Sequence, residues 1–155
     1  MKQENRLAQG LWIALEMERR GLSLYNRAQR IVLDPSLLRI LYELEQDEKK
    51  HYRDFSKMAD AYDFDAMTKE EGELLLAQAS TFFFPGGLMQ AAMGGALSSA
   101  LALLNEAIAA ERDSITFYTR LLELSDDAAR SVLQTIIDEE RKHLDTLTER
   151  RDALV

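Results

Sequence analysis

The stretch Asp138-Glu139-Glu140-Arg141-Lys142-His143 decides how this chain is read. It lies in a run from Leu133 to Arg150 with no helix breaker, so Glu140 and His143, three residues apart, share one helix face. Leu133, Ile136, Glu140, His143 and Leu147 follow one another in steps of three and four, the spacing of a core-facing stripe. Its only members that are not hydrocarbon are a carboxylate and an imidazole. An ionised carboxylate in a dry core costs several kcal/mol unless it is paired or bound to a cation. The stretch therefore demands a partner across the core.

The second histidine repeats the pattern. Glu48-Lys49-Lys50-His51 sits on the stripe Leu37, Leu41, Leu44, Glu48, His51, Phe55, continued by Met58, so both of the chain's 2 histidines follow a glutamate by three residues on an apolar seam. Two further stripes each carry one acid. The first is Leu7, Leu11, Ala14, Glu18, Leu22, Tyr25, Ala28; the other is Leu101, Leu104, Ile108, Glu111, Ile115, Tyr118, Leu122. Arg19, Arg20, Asn26, Arg27 and Arg30 fall on the solvated side of the first.

These stripes predict four long helices, over about Gln3–Val32, Pro35–Tyr62, Leu97–Glu123 and Ser125 to near the C-terminus. Asp34-Pro35 is an N-cap followed by proline at the first helical position, and Ser125-Asp126-Asp127 caps the last helix with acids in its first turn. Between them, Thr68-x-x-Glu71 reads as a capping box opening a short helix to about Gln78. Residues 80–95 form an apolar, irregular stretch containing Phe82, Phe83, Phe84, Met89 and Met93. That stretch suits a crossover packed on the bundle or in a subunit interface; lying on a membrane or gating substrate is the sharper alternative.

The halves of the chain match. Glu18 and Glu111 are each followed seven residues later by a tyrosine, Tyr25 and Tyr118, while Asp47-Glu48-Lys49-Lys50-His51 corresponds to Glu139-Glu140-Arg141-Lys142-His143. A helix pair used twice, packed as an all-α four-helix bundle in a single domain, brings four glutamates and two histidines to one level. The stripes hold no lysine or arginine to offset them, and two divalent cations would. One Glu from each of two helices with Glu-x-x-His from each of the others is the carboxylate-bridged dimetal pattern. Tyr25 and Tyr118 read either as core aromatics or as donors that tune the ligand glutamates. Asp47 and Glu139 either orient the histidines from behind or are solvated.

Composition narrows the rest. The 155 residues are 46% hydrophobic, enough for one sizeable core, with 7 Gly and 2 Pro. A net charge of −8 argues against nucleic acid or an anionic membrane as partner. With 0 Cys there is no disulfide, iron–sulfur cluster or thiolate metal site. No apolar run has the length of a signal peptide or a membrane helix, so a soluble, cytoplasmic protein is expected.

Ala107-Ile108-Ala109-Ala110-Glu111-Arg112-Asp113-Ser114-Ile115-Thr116-Phe117-Tyr118 and Ile136-Ile137-Asp138-Glu139-Glu140-Arg141-Lys142-His143 carry a resemblance. In these motifs, and over essentially its whole length, the chain resembles the diiron domain of the rubrerythrin family in the ferritin-like superfamily. The resemblance implies that Glu18, Glu48, His51, Glu111, Glu140 and His143 hold two irons, with Glu48 and Glu140 bridging. Manganese or zinc would be the substitutes. It further implies an oxidoreductase, with the four glutamates at the reacting centre, that reduces hydrogen peroxide or oxidises Fe(II) with peroxide or oxygen. A homodimer is expected, from the resemblance and from the apolar segment 82–93. Rubrerythrin proper adds a rubredoxin module with a four-cysteine iron; here electrons must come from a separate donor protein or from Fe(II) itself. The family's additional ligand Glu, three residues beyond Glu111, is replaced by Ser114, so the resemblance does not extend to the redox-linked iron shift tied to that ligand. Nitrogen and carboxylate donors suit Fe(II) and Mn(II), and redox work fits them better than hydrolysis. The alternative is a non-catalytic iron-binding or iron-buffering protein.

Overall fold

The computed structural model describes residues 2–60 and 100–154. Within them lie four α-helices and no strand: α1 Lys2–Gln29, α2 Pro35–Ala59, α3 Ala100–Leu124 and α4 Asp127–Asp152. The expected short helix at 68–78, the apolar stretch 80–95 and the 82–93 segment invoked for a dimer lie outside the described residues.

Local chemistry fixes the helix ends. Asp34 holds an extended backbone and its side chain accepts from the Ser36 N–H at 3.1 Å, with Pro35 opening α2. Asp126 caps α4 by accepting from the Ala129 N–H at 2.9 Å, and Asp127 lies in the first turn. Helix α1 stops at Gln29, three residues short of the sequence expectation. There the amides of Arg30 and Ile31 bond back to Arg27 and Ala28, a tightened final turn that leaves residues 30–34 to reverse the chain before Pro35. Helix α2 ends at Ala59, with the Asp60 amide bonded to the Ser56 carbonyl at 3.0 Å.

The helices form two hairpins, α1 on α2 and α3 on α4, which then pack with α1 beside α3 and α2 beside α4. Paired residues give the directions. Tyr25 meets Glu111 while Glu18 meets Tyr118, so α1 and α3 are antiparallel. His51 meets Glu139, Asp47 meets His143, and Asp34 meets Arg150, so α2 and α4 are antiparallel too. It follows that α2 ends and α3 begins at opposite ends of a bundle about 38 Å long, as a crossover connection requires. Gly10 allows the close approach of α1 to α3, because a Cβ there would run into the Leu121 side chain.

The buried stripes are wider than the expected ones. Leu24, Ile13 and Met17 join the α1 core, while Leu22 is only half-buried. On α3 the core is Leu103, Leu104, Ala107, Ile108, Ala110, Glu111, Phe117, Tyr118 and Leu121; Leu101 is exposed, and Ile115 and Leu122 are half-buried. Each helix touches two neighbours in a bundle, which broadens its apolar arc beyond one line of residues. No described helix is long and apolar enough to cross a membrane.

Candidate metal centre

At mid-height all four helices point acids inward. Glu18 comes from α1, Glu48 and His51 from α2, Glu111 from α3, and Glu140 and His143 from α4; all six are buried. The helical repeat makes this meeting inevitable once the register is set, since each acid sits where its stripe would otherwise carry a hydrocarbon.

The six side chains resolve into two overlapping groups. Glu18, Glu48, His51 and Glu140 bring ligand atoms within 4.8 Å of one another, and so do Glu48, Glu111, Glu140 and His143. Glu48 and Glu140 belong to both. In the first group His51 Nδ1 lies 2.8 Å from Glu140, 3.5 Å from Glu48 and 3.8 Å from Glu18. In the second, His143 Nδ1 lies 3.6 Å from Glu111, 3.7 Å from Glu140 and 3.8 Å from Glu48. The two imidazoles stack with centroids 5.9 Å apart.

The surrounding bonds cross between the hairpins in matched pairs. Tyr25 Oη donates to Glu111 Oε1 at 2.6 Å and Tyr118 Oη donates to Glu18 Oε1 at 2.6 Å, so each tyrosine serves the glutamate of the other half. Behind the rings, His51 Nε2 is 2.6 Å from Glu139 and His143 Nε2 is 2.9 Å from Asp47. A carboxylate at Nε2 keeps a proton there and leaves Nδ1 as the atom facing the cluster. Of the readings open for these four residues, the structure shows the tyrosines bonded to cluster glutamates and the two acids bonded to histidines.

Polar satisfaction distinguishes this cluster from an ordinary buried network. Glu18 Oε2, Glu111 Oε2, both oxygens of Glu140, and Nδ1 of His51 and of His143 are buried without a hydrogen-bond partner. His51 Nδ1 is close enough to Glu140 for an ion pair but is not aligned as a hydrogen bond. An orphaned buried carboxylate or imidazole atom is costly, and here they converge. Nitrogen and oxygen donors in fours, with no sulfur, fit a divalent transition metal.

Electrostatics agree. Burial, then the charges of Glu48 and Glu140, hold the Glu18 carboxyl well above the usual carboxylate range. Burial and Glu140 do the same to Glu48. Burial would raise Glu140 too, but His143 and His51 bring it below its ordinary value. For His51 burial alone acts downward, and Glu140, Glu18 and Glu139 outweigh it, lifting the ring to about 9. His143 is lifted likewise against its burial, by Glu140 and Asp47. Protons thus stand in where positive charge is wanted.

Two residues escaped the sequence reading. Glu45 is buried one turn before Glu48, yet its partners are Gln29 Nε2 at 2.5 Å, Asn26 at 3.5 Å and Lys49 at 3.4 Å, so it clamps α1 to α2. The Lys49 spacing of four was its sequence signal. Lys50 reaches Glu139 at 3.2 Å, a contact between helices that no local pattern announces.

No protein-family model, curated protein or solved structure matches this chain. The donor set itself carries the functional reading.

Proposed function

We propose that the protein is a non-haem diiron oxidoreductase of rubrerythrin type, in the ferritin-like superfamily, which reduces hydrogen peroxide or oxidises Fe(II) with peroxide or oxygen. The supporting observation is the convergence of two orphaned imidazole nitrogens and four buried carboxylates on two positions that share Glu48 and Glu140. Glu18 and His51 complete one position; Glu111 and His143 complete the other. Four carboxylates balance two divalent ions in charge, which protons on the ligands do only by blocking the donor atoms. Manganese and zinc fit the same donors, but zinc has no redox chemistry.

An iron pair held by these six residues would provide the redox chemistry; binding, orientation and proton placement fall to this chain. Glu139 and Asp47 hold the imidazoles by Nε2 and fix their orientation. Tyr25 and Tyr118 pin Glu111 and Glu18 and keep a proton at Oη beside each, since burial raises both phenols well above their ordinary value. Leu104 and Ile108 on α3, and Leu133 and Ile136 on α4, are buried one or two turns before the ligands of their own helices, so hydrocarbon rather than bulk water continues each stripe away from the centre. With 0 Cys the chain has no sulfur-ligated relay of its own, so a separate donor protein or Fe(II) supplies electrons.

The test is anaerobic Fe(II) loading followed by rapid mixing with oxygen or hydrogen peroxide, following ferric absorbance in the near ultraviolet. Stoichiometric iron uptake and fast oxidation support the reading. Loaded protein that retains its Fe(II) unchanged through excess peroxide refutes it.

A further inference from the structure

A small cleft opens between α1 and α3 onto the carboxylate cluster. Glu18, Glu48, Glu111 and Tyr25 line its floor, and its volume is about 10 Å³, room for one water-sized group. Every lining residue is buried except two, Gly21 on α1 and Ser114 on α3. Those two form the rim.

Gly21 is unexpected where it stands. It lies inside a 28-residue helix, where glycine is less favourable than alanine. Packing does not demand it, because a Cβ there would meet Glu48 Cδ at 3.8 Å and Cγ at 3.9 Å, ordinary contacts. What the absent side chain does is leave the cleft beside Glu48, whose side chain keeps 6% of its surface exposed, without a further wall. Opposite, Ser114 is short and half-buried.

We propose that the gap between Gly21 and Ser114 is the entry through which a small neutral oxidant reaches the centre, and that these two residues set its size limit. The inference rests on the dimetal reading and deepens it. With room for about one water, the cleft turns away organic hydroperoxides; hydrogen peroxide and dioxygen, with two heavy atoms each, pass on a small widening between the two helices. No lysine or arginine is among its lining residues to draw an anion in, so neutral molecules are favoured. Ser114 and Gly21 touch no metal in this scheme; they are specificity-determining residues.

The experiment uses Fe(II)-loaded protein under argon with nitric oxide as the probe, its uptake followed at an electrode, beside iron content after overnight loading. Gly21→Leu is expected to keep wild-type iron content while taking up nitric oxide about tenfold more slowly or worse. Gly21→Ala should fall between, with a higher melting temperature of the metal-free protein. Ser114→Gly should raise the rate with tert-butyl hydroperoxide relative to hydrogen peroxide. Wild-type nitric oxide uptake in a fully loaded Gly21→Leu overturns the entry; if that variant does not fold or load, undiminished uptake by Gly21→Ala overturns it instead. Wild-type protein that binds no iron at all refutes the dimetal reading, and is thereby distinguished from failure of the entry alone.

Discussion

Replacing Glu18 by leucine separates a ligand from a structural acid, because the two roles predict opposite changes in the metal-free protein. Glu18 is 2% exposed and sits among Glu48 and Glu140, whose charges together with burial push its carboxyl far up. Exchanging a buried ionic group for a packed apolar one is worth about 1–3 kcal/mol in favour of the variant. Against this, Glu18→Leu strands the Tyr118 hydroxyl, which donates to Glu18 at 2.6 Å, at a cost of about 1–3 kcal/mol. The single variant should therefore be about level with wild type when apo. Glu18→Leu/Tyr118→Phe removes both partners of that bond and should be ahead by about 1–3 kcal/mol. Metal reverses the order, since Fe(II) at a hundred times its dissociation constant stabilises the wild type by about 2.7 kcal/mol and the variants lack a ligand. The assay is a pair of denaturant curves for each protein, with chelator and with Fe(II) under argon, read by far-ultraviolet circular dichroism. The expected signature is a crossing. If both variants lose several kcal/mol when apo while iron uptake stays intact, Glu18 is a structural hydrogen-bonding residue and the ligand assignment fails.

Four further outcomes are expected. Metal analysis after reconstitution should return two irons per chain, matching the two ligand groups, with Glu111→Ala losing about half and Glu48→Ala most of both; one or fewer in the wild type contradicts the shared-carboxylate geometry. The metal-free protein should melt at progressively lower temperature from pH 6 to pH 9: His51, lifted to about 9, stabilises fully below its unfolded value near 6.5 and loses this as pH rises through 9. The raised Glu18 and Glu48 act in the same direction, since their cost grows as pH climbs above 4.5, and metal affinity should rise over that range as ligands deprotonate; a flat or rising apo melting curve would refute the assignment. Tyr25→Phe should keep both irons but weaken binding by about 10–100-fold in a competition titration with a chelator. Glu45→Ala should cost about 0.5–1.5 kcal/mol by removing one of the two bonds that Gln29 Nε2 donates, the other going to the Tyr25 carbonyl, while iron stoichiometry is unchanged; loss of iron would place Glu45 in the centre instead.

The sequence by itself determined which side chains would meet. Glu18, Glu48, His51, Glu111, Glu140 and His143 occupy apolar stripes at helical spacing, and a polar residue inside a hydrophobic period is conspicuous without any coordinates. The caps at Asp34 and Asp126 were legible for the same reason: they act within four residues along the chain. Tertiary structure decided what depends on relative rotation and separation of helices. The crossed pairing of Tyr25 with Glu111 and Tyr118 with Glu18 spans 86 and 100 residues, and no local period encodes a partner that far away. The same holds for Lys50 on Glu139 and for the width of each buried arc, which reflects two neighbours per helix. Gly21 shows the difference most plainly. In sequence it is a helix-weakening glycine; only the packing of α1 against α3 places it at the rim of a cleft over Glu48, because a gap between two helices is a property of their separation.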